Sequence, residues 1–228
     1  MSQHISPYHA PGFIPDALAR GKHRDIIGGR WDETGIIQMQ MLLAEGLKPQ
    51  HRLLDIGCGP LRTGCRLVPY LNPGNYWGTD LSGDLMRQGY RQELTEGDRA
   101  RLPRSQLVED RDFSFPGIPD AFDYLLCFAV FTHLPLNHLR RGLVQVGRRF
   151  ARFEKFLFTV FLAPDAAASL GPVRQPDGVV THDIRPPYHV LESDLHLFAA
   201  QAGLALELRE ARLPRGQVLC VARPITSV

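Results

Sequence analysis

The chain has 228 residues, 44% of them hydrophobic, with 26 basic and 24 acidic side chains for a formal net charge of +2. Such a length suits one α/β domain with a buried core, and the hydrophobic share excludes a disordered chain. The balanced charge excludes the broad basic field of a nucleic-acid binder. No run approaches the ~18 apolar residues of a membrane span, and the start lacks the pattern of a signal peptide. Cys58, Cys65, Cys127 and Cys220 form no CxxC pair and no metal-type spacing, so the expectation is a cytoplasmic protein with reduced thiols and no metal.

Residues 1–33 read as an N-terminal arm, irregular to about Gly29 through Pro7, Pro11, Pro15 and the Gly28-Gly29 pair. Asp32 or Thr34 then caps a helix that ends near Gly46. From there strands and helices alternate. Strands are expected at Arg52–Ile56, Tyr76–Asp80, Gln106–Val108, Phe122–Val130 and Phe156–Leu162. Helices are expected at Thr63–Leu71, Leu85–Gln92 and from Pro135 to about Phe150. Residues 163–190 are a long Pro- and Gly-containing loop, expected as a substrate lid. A helix over about Glu192–Ala202 and strands Leu204–Arg212 and Val218–Ala222 close the chain as an antiparallel hairpin. The alternation predicts a doubly wound, mostly parallel α/β sheet in a domain over 34–228.

The most informative segment is Leu53-Leu54-Asp55-Ile56-Gly57-Cys58-Gly59-Pro60. A strand runs into a tight Gly-rich turn that opens a helix, at the end of a parallel strand where ligands bind. Asp80 ends the next strand, where a carboxylate can accept both hydroxyls of a ribose. Asp112-Phe113 follows the third strand; the acid can bond an adenine amino group while the ring covers the base. Asp110 is a rival for that role, and a plain polar loop is the alternative to both. Asp55 stands where a dinucleotide site wants an apolar residue. It would repel a pyrophosphate but suits a cationic amino group.

These segments, with Phe122–Leu134 and the terminal hairpin, resemble the class I S-adenosylmethionine-dependent methyltransferase family. Gly-Cys-Gly-Pro-Leu-Arg, Pro-Gly-Asn-Tyr and Val-Phe-Thr-His-Leu-Pro are similar to a bacterial small-molecule branch of it. The resemblance implies a seven-stranded Rossmann-like sheet with the last strand antiparallel. It also implies S-adenosylmethionine as donor, with S-adenosylhomocysteine as product. Gly57 and Gly59 would line the methionine part, Asp80 would hold the ribose and Asp55 would sit near the amino group, through water or backbone; Cys58 and Leu81 beside them, and Asp112 and Phe113 by their own chemistry, are further expected cofactor contacts. Cys127 and Phe128 would flank the cofactor. Pro60-Leu61-Arg62 departs from the small residues that many members carry, leaving the shape of the turn open.

Methyl transfer needs positioning and, for a hydroxyl acceptor, a base. His133 lies beyond the fourth strand, with an ordinary pKa near 6.5; it is a base or a brace for the turn. His182, Tyr188 and His189 in the loop, and Trp31 in the arm, are candidate substrate contacts, with a solvated loop and plain core packing as the alternatives. The expected activity is O-methylation of a small metabolite such as a sugar, lipid or natural-product hydroxyl. Nitrogen or carbon acceptors, or a cofactor-binding protein without catalysis, are the alternatives. No nucleic-acid partner is expected, and oligomerisation is left open.

Overall fold

The structure, a computed structural model, describes residues 5–225; the first four residues of the expected arm and the last three of the expected domain lie outside the described residues. The described chain forms two compact units, one over 10–126 and one over 127–225 with 5–9.

The first unit opens with α1 (Phe13–Ala19), which buries Ile14 and Ala17. A helix here corrects the expectation of an irregular arm up to Gly29. Pro15 falls in its first turn, where a missing N–H goes unused. The next helix, α2 (Trp31–Ala44), starts at Trp31 rather than at Thr34. Neither Asp32 nor Thr34 caps it; Asp32 lies within its first turn, where negative charge favours the helix N-terminus.

Strand β1 (Leu53–Ile56) is buried throughout and leads to α3 (Gly64–Tyr70). Strand β2 (Tyr76–Asp80) leads to α4 (Gly83–Gln92), capped by Ser82, whose hydroxyl accepts from the Leu85 N–H at 3.2 Å. Helix α5 (Glu96–Arg101) was not expected, although Thr95 and Asp98 form a reciprocal capping box that the sequence displays. Strand β3 (Leu107–Glu109) follows, then β4 (Tyr124–Cys127), which is shorter than the expected run to Val130 because Ala129 turns into the left-handed region at φ 57°.

The four strands lie in the order β3-β2-β1-β4, and every pairing is parallel. The order reverses direction at β1, and the C-terminal end of the strands at such a reversal is where sheets of this kind bind ligands. Beneath it Leu53, Leu54, Leu67 and Leu125 are fully buried. Tyr124 stacks on His51 with ring centroids 5.0 Å apart, and its hydroxyl donates to the Glu45 carbonyl at 3.0 Å.

In the second unit, α6 (Leu136–Arg149) precedes β5 (Lys155–Leu162). The expected open loop is partly ordered: β6 (Val173–Arg174) and β7 (Val180–Thr181) pair antiparallel, and β8 (His189–Val190) pairs parallel with β5. Helix α7 (Glu192–Gln201) leads to β9 (Leu204–Leu213) and β10 (Gln217–Pro224). Strand β10 is antiparallel to both β5 and β9, the expected reversed hairpin. Parallel strands followed by antiparallel C-terminal strands are the predicted Rossmann-like class; the strands beyond the expected seven are the two-residue β6, β7 and β8.

Gly89 on α4 packs on the backbone of Pro60, and a Cβ there would overlap the Pro60 carbonyl. Gly89→Ala must therefore push α4 away from the turn after β1. Overpacking of this kind costs about 1–3 kcal/mol, several degrees in the thermal midpoint. An unchanged midpoint would show that α4 does not press on that turn.

Candidate active site

The turn after β1 is built from backbone. Gly57 and Gly59 take left-handed conformations, at φ 76° and 54°, that most side chains avoid. The Gly57 and Cys58 N–H groups donate to the Thr79 carbonyl at 2.7 and 2.9 Å. Cys58 is buried with its sulfur against Gly78, where a Cβ would stand 2.8 Å away, so its contribution to the turn surface is its main chain. Leu61 is also left-handed, at φ 64°.

Asp80 joins two turns. Its Oδ2 accepts from the Gly59 N–H at 3.0 Å and its Oδ1 from the Ser82 N–H at 2.9 Å. Each oxygen has two lone pairs, so capacity remains for hydroxyl donors. Burial, with repulsion from Glu109 adding, raises the Asp80 carboxyl to about 6 despite these two donors. Leu81, next in the chain, is half-buried.

Asp55 is buried and receives the Tyr76 hydroxyl on Oδ2 at 2.9 Å. Burial raises its carboxyl to about 7; the Tyr76 bond opposes that rise and the charge of Asp80 adds to it. Two buried acids with raised pKa values favour a neighbouring cation or hydroxyl donor, and the Arg62 charge meets that need only in part at Asp55.

Sequence reasoning missed Arg62. Its side chain donates to the Ile27 and Gly29 carbonyls and to Gln38 Oε1, each at 3.3 Å. It thereby ties segment 27–29 to the turn. Trp31 is buried, beneath the Arg24 guanidinium (4.8 Å) and edge-on to His23 at 6.3 Å. His23 and Arg24 share Glu93, at 2.5 Å from His23 and 2.6 Å from Arg24. This cluster fastens the arm to α4.

Between Asp110 and Asp112 the structure assigns different work. Asp110 accepts from the Asp112, Ser114 and Phe115 N–H groups at 3.0–3.2 Å and so shapes the loop. Phe113 is buried in a left-handed conformation, and Asp112 is exposed.

In the second unit Cys127 and Phe128 are buried. The Ala129 N–H donates to Thr159 Oγ1 at 2.7 Å, and that hydroxyl donates to Gln217 Oε1 at 2.7 Å. Thr132 Oγ1 donates to the Ala129 carbonyl at 3.0 Å, and the Tyr188 N–H donates to the Thr132 carbonyl at 2.8 Å. His133 is half-buried and meets Tyr8 edge-on at 5.2 Å. Burial, with Arg215 nearby, lowers its pKa to about 4. That replaces the expectation of a group titrating near 6.5.

The loop residues differ from one another. His189 is buried with both nitrogens engaged, Nδ1 with Thr181 Oγ1 and Nε2 with the Ser169 carbonyl, each at 2.9 Å. The ring braces the loop, and its expected role as a substrate contact is not carried forward. Tyr188 is buried and donates its hydroxyl to the Ile5 carbonyl at 3.1 Å. His182 is half-buried, and slight burial with Arg185 beside it lowers its pKa. Among the described residues no group of three or more His, Cys, Asp or Glu is placed to hold a metal ion. No described helix is long and apolar enough to cross a membrane.

The parallel sheet with its antiparallel C-terminal strands is similar in fold to class I methyltransferases. Residues 54–152 match the model of the methyltransferase domain family. Over 93 residues the chain is 33% identical to trans-aconitate 2-methyltransferase of Rhodopseudomonas palustris (strain BisB5), a stretch covering 40% of this chain and 32% of that protein. The chain thus matches about a third of the length of this curated relative. Magnesium protoporphyrin IX methyltransferase of Synechocystis PCC 6803, solved with bound SAM, has a TM-score of 0.58 at 14% identity, covering 98% of this chain and 100% of that one. An S-adenosylmethionine-dependent methyltransferase of Clostridium acetobutylicum ATCC 824 has a TM-score of 0.58 at 15% identity, covering 92% and 96% of the two chains. At such identities the likeness is one of fold.

The Thr159 bridge yields a prediction. Thr159→Val keeps the shape and removes the acceptor of the Ala129 N–H, leaving a buried donor and the Gln217 oxygen without it. Stability should fall by about 1–3 kcal/mol, with Thr159→Ser restoring most of it in thermal unfolding. Equal midpoints for Val and wild type would show that the bridge does not hold residues 127–133.

Proposed function

We propose that this protein transfers a methyl group from S-adenosylmethionine to an oxygen of a small-molecule acceptor, releasing S-adenosylhomocysteine, and a proton as well where the acceptor oxygen carries one. The observation that carries the reading is the arrangement of Asp55, the Gly57–Gly59 turn and Asp80 at the strand crossover. Asp80 would take the ribose hydroxyls, Asp55 the amino group, and the turn backbone the methionine part. Asp112 would take the adenine amino group, since Asp110 is committed to its own loop, and Phe113 would cover the base. Leu81, Cys127 and Phe128 would flank the bound donor. Segment 27–29, tied down by Arg62, would close over the turn, and His182 and Tyr188 would contact the acceptor.

When bound, the donor supplies an electrophilic methyl on a sulfonium, and the S–CH₃ bond breaks as the O–CH₃ bond forms. The protein's share is alignment and the fate of the acceptor proton. His133 is the group we assign to that proton. With a pKa near 4 it is neutral at physiological pH and can accept a hydrogen bond, yet it is a weak proton sink. This environment favours an acidic or already ionised acceptor oxygen over a plain alcohol. A carboxylate is one such oxygen, and the name of the Rhodopseudomonas relative specifies an acid as substrate.

Calorimetry on the purified chain should give micromolar affinity for S-adenosylhomocysteine, about 7–8 kcal/mol. Asp80→Ala should weaken it tenfold or more, through lost charge-assisted bonds of about 1.5–3 kcal/mol. Affinity for NAD with none for the sulfur nucleoside would sink the reading, and unchanged affinity in a folded Asp80→Ala protein would misplace the ribose.

A second prediction concerns His133. His133→Gln should lower turnover about 10²-fold or more on a protonated oxygen acceptor, leaving donor affinity near normal. The wild-type rate should show no inflection from this group near pH 6.5, because its folded pKa is about 4. The sign for stability follows: a lowered histidine pKa favours the fold above the unfolded value, and that contribution is lost as pH falls from about 6.5 towards 4. Near-normal turnover in His133→Gln would remove this base and leave an already ionised oxygen, or a nitrogen or carbon, as the acceptor. A rate inflection near 6.5 that vanishes in the variant would contradict a neutral, buried ring.

A further inference from the structure

A cavity of about 310 Å³ lies between α4 and β3, lined by Met86, Arg87, Tyr90, Arg91, Arg104 and Leu107. The proposed reaction uses none of these residues. Arg87 and Arg91 stand one turn apart on the same face of α4. Arg104, on the short turn before β3, lies over the Tyr90 ring, its guanidinium carbon 5.1 Å from the centroid. The Tyr90 hydroxyl donates to the Arg99 and Leu102 carbonyls at 3.2 and 3.1 Å, which fixes the ring as a wall. Met86 and Tyr90 are buried, so the floor is apolar while the three arginines are exposed at the rim.

Glu109 stands at one end, but its carboxylate is committed to the Gly83 N–H at 3.2 Å and to Arg111 at 3.0 Å. Arg87 is paired with Asp84, and Arg91 donates to Gln88. Three guanidiniums against one lining carboxylate leave the cavity at +2, as much as the whole chain carries. Like charges gathered around an apolar floor favour a counter-anion, and guanidinium forks match phosphate or carboxylate oxygens. The Tyr90 wall and Met86 floor suit a flat body attached to that anion. The volume is at the lower end of small-ligand pockets, roughly 300–1,000 Å³.

We propose that this cavity binds a small molecule carrying a phosphate or carboxylate group on a flat apolar body, separately from the methyl donor. The test is titration of the full chain with phenyl phosphate, inorganic phosphate and a Glu-rich peptide. Phenyl phosphate should bind with a Kd of about 1 mM or tighter, at least tenfold better than inorganic phosphate. The doubly substituted Arg91→Gln, Arg104→Gln protein should lose at least tenfold of that affinity while keeping its thermal midpoint and its affinity for S-adenosylhomocysteine. Equal binding of phenyl and inorganic phosphate, or no loss in the double variant, would overturn the proposal. So would peptide binding that depends on these arginines in the absence of phenyl phosphate binding, which would give the cavity to a protein partner. Phenyl phosphate binding that depends on these arginines in a chain with no affinity for S-adenosylhomocysteine would still support the proposal and would count against the methyltransferase reading alone.

Discussion

The carboxylate of Asp80 is the tie on which the first unit's turns depend. One side chain at the end of β2 accepts from Gly59 in the turn after β1 and from Ser82 at the cap of α4. The two turns therefore hold their shape together. The left-handed glycines make the first turn sterically feasible, but glycine alone would leave it loose. The charged acceptor, the Thr79 carbonyl beneath the turn and the Pro60–Gly89 contact supply the rigidity that permissive residues lack. A site built this way presents backbone and two acids, and few other polar side chains. That suits recognition of a ligand by hydroxyls and an amino group.

The ionisable groups are set by burial, and burial acts in opposite senses on them. Asp55 and Asp80 are raised to about 7 and about 6, which destabilises the fold as pH rises above the ordinary carboxylate range. His133 is lowered to about 4, which destabilises the fold as pH falls below about 6.5. These strains sit at the residues assigned to ligands, where perturbed ionisation concentrates. An amino group beside Asp55 would favour its ionised form and offset part of the desolvation cost. The empty and loaded forms should thus differ in protonation as well as in stability.

The sequence made the strand–turn–helix at Leu53–Gly59 and the acid at Asp80 legible, because hydrophobic runs and glycines report local geometry directly. The reversed hairpin was legible from its turn. Helix α1 was not, since prolines and glycines around it dominated the reading, although Pro15 falls where a helix tolerates it. Helix α5 was overlooked despite its capping box. The division of labour between Asp110 and Asp112 was illegible, since both acids suit the same chemistry and only the loop's hydrogen bonds separate them. His189 looked like a loop histidine available to a ligand. Its burial depends on Thr181 and Ser169, residues whose proximity no local pattern encodes.

The departure at Pro60-Leu61-Arg62 has a structural meaning. A small residue at position 62 would leave the turn to be held from below alone. Arg62 instead reaches back to the Ile27 and Gly29 carbonyls, and the Ile27 side chain lies 3.7 Å from where a Gly59 Cβ would be. The arm is thus held over the glycine turn by a charged donor, and again by the His23–Glu93–Arg24 cluster on α4. The two carbonyls leave the guanidinium charge uncompensated, and that charge favours the ionised form of Asp55, opposing part of the effect of its burial. The side chain that breaks the expected pattern of small residues is the one that gives the turn its cover.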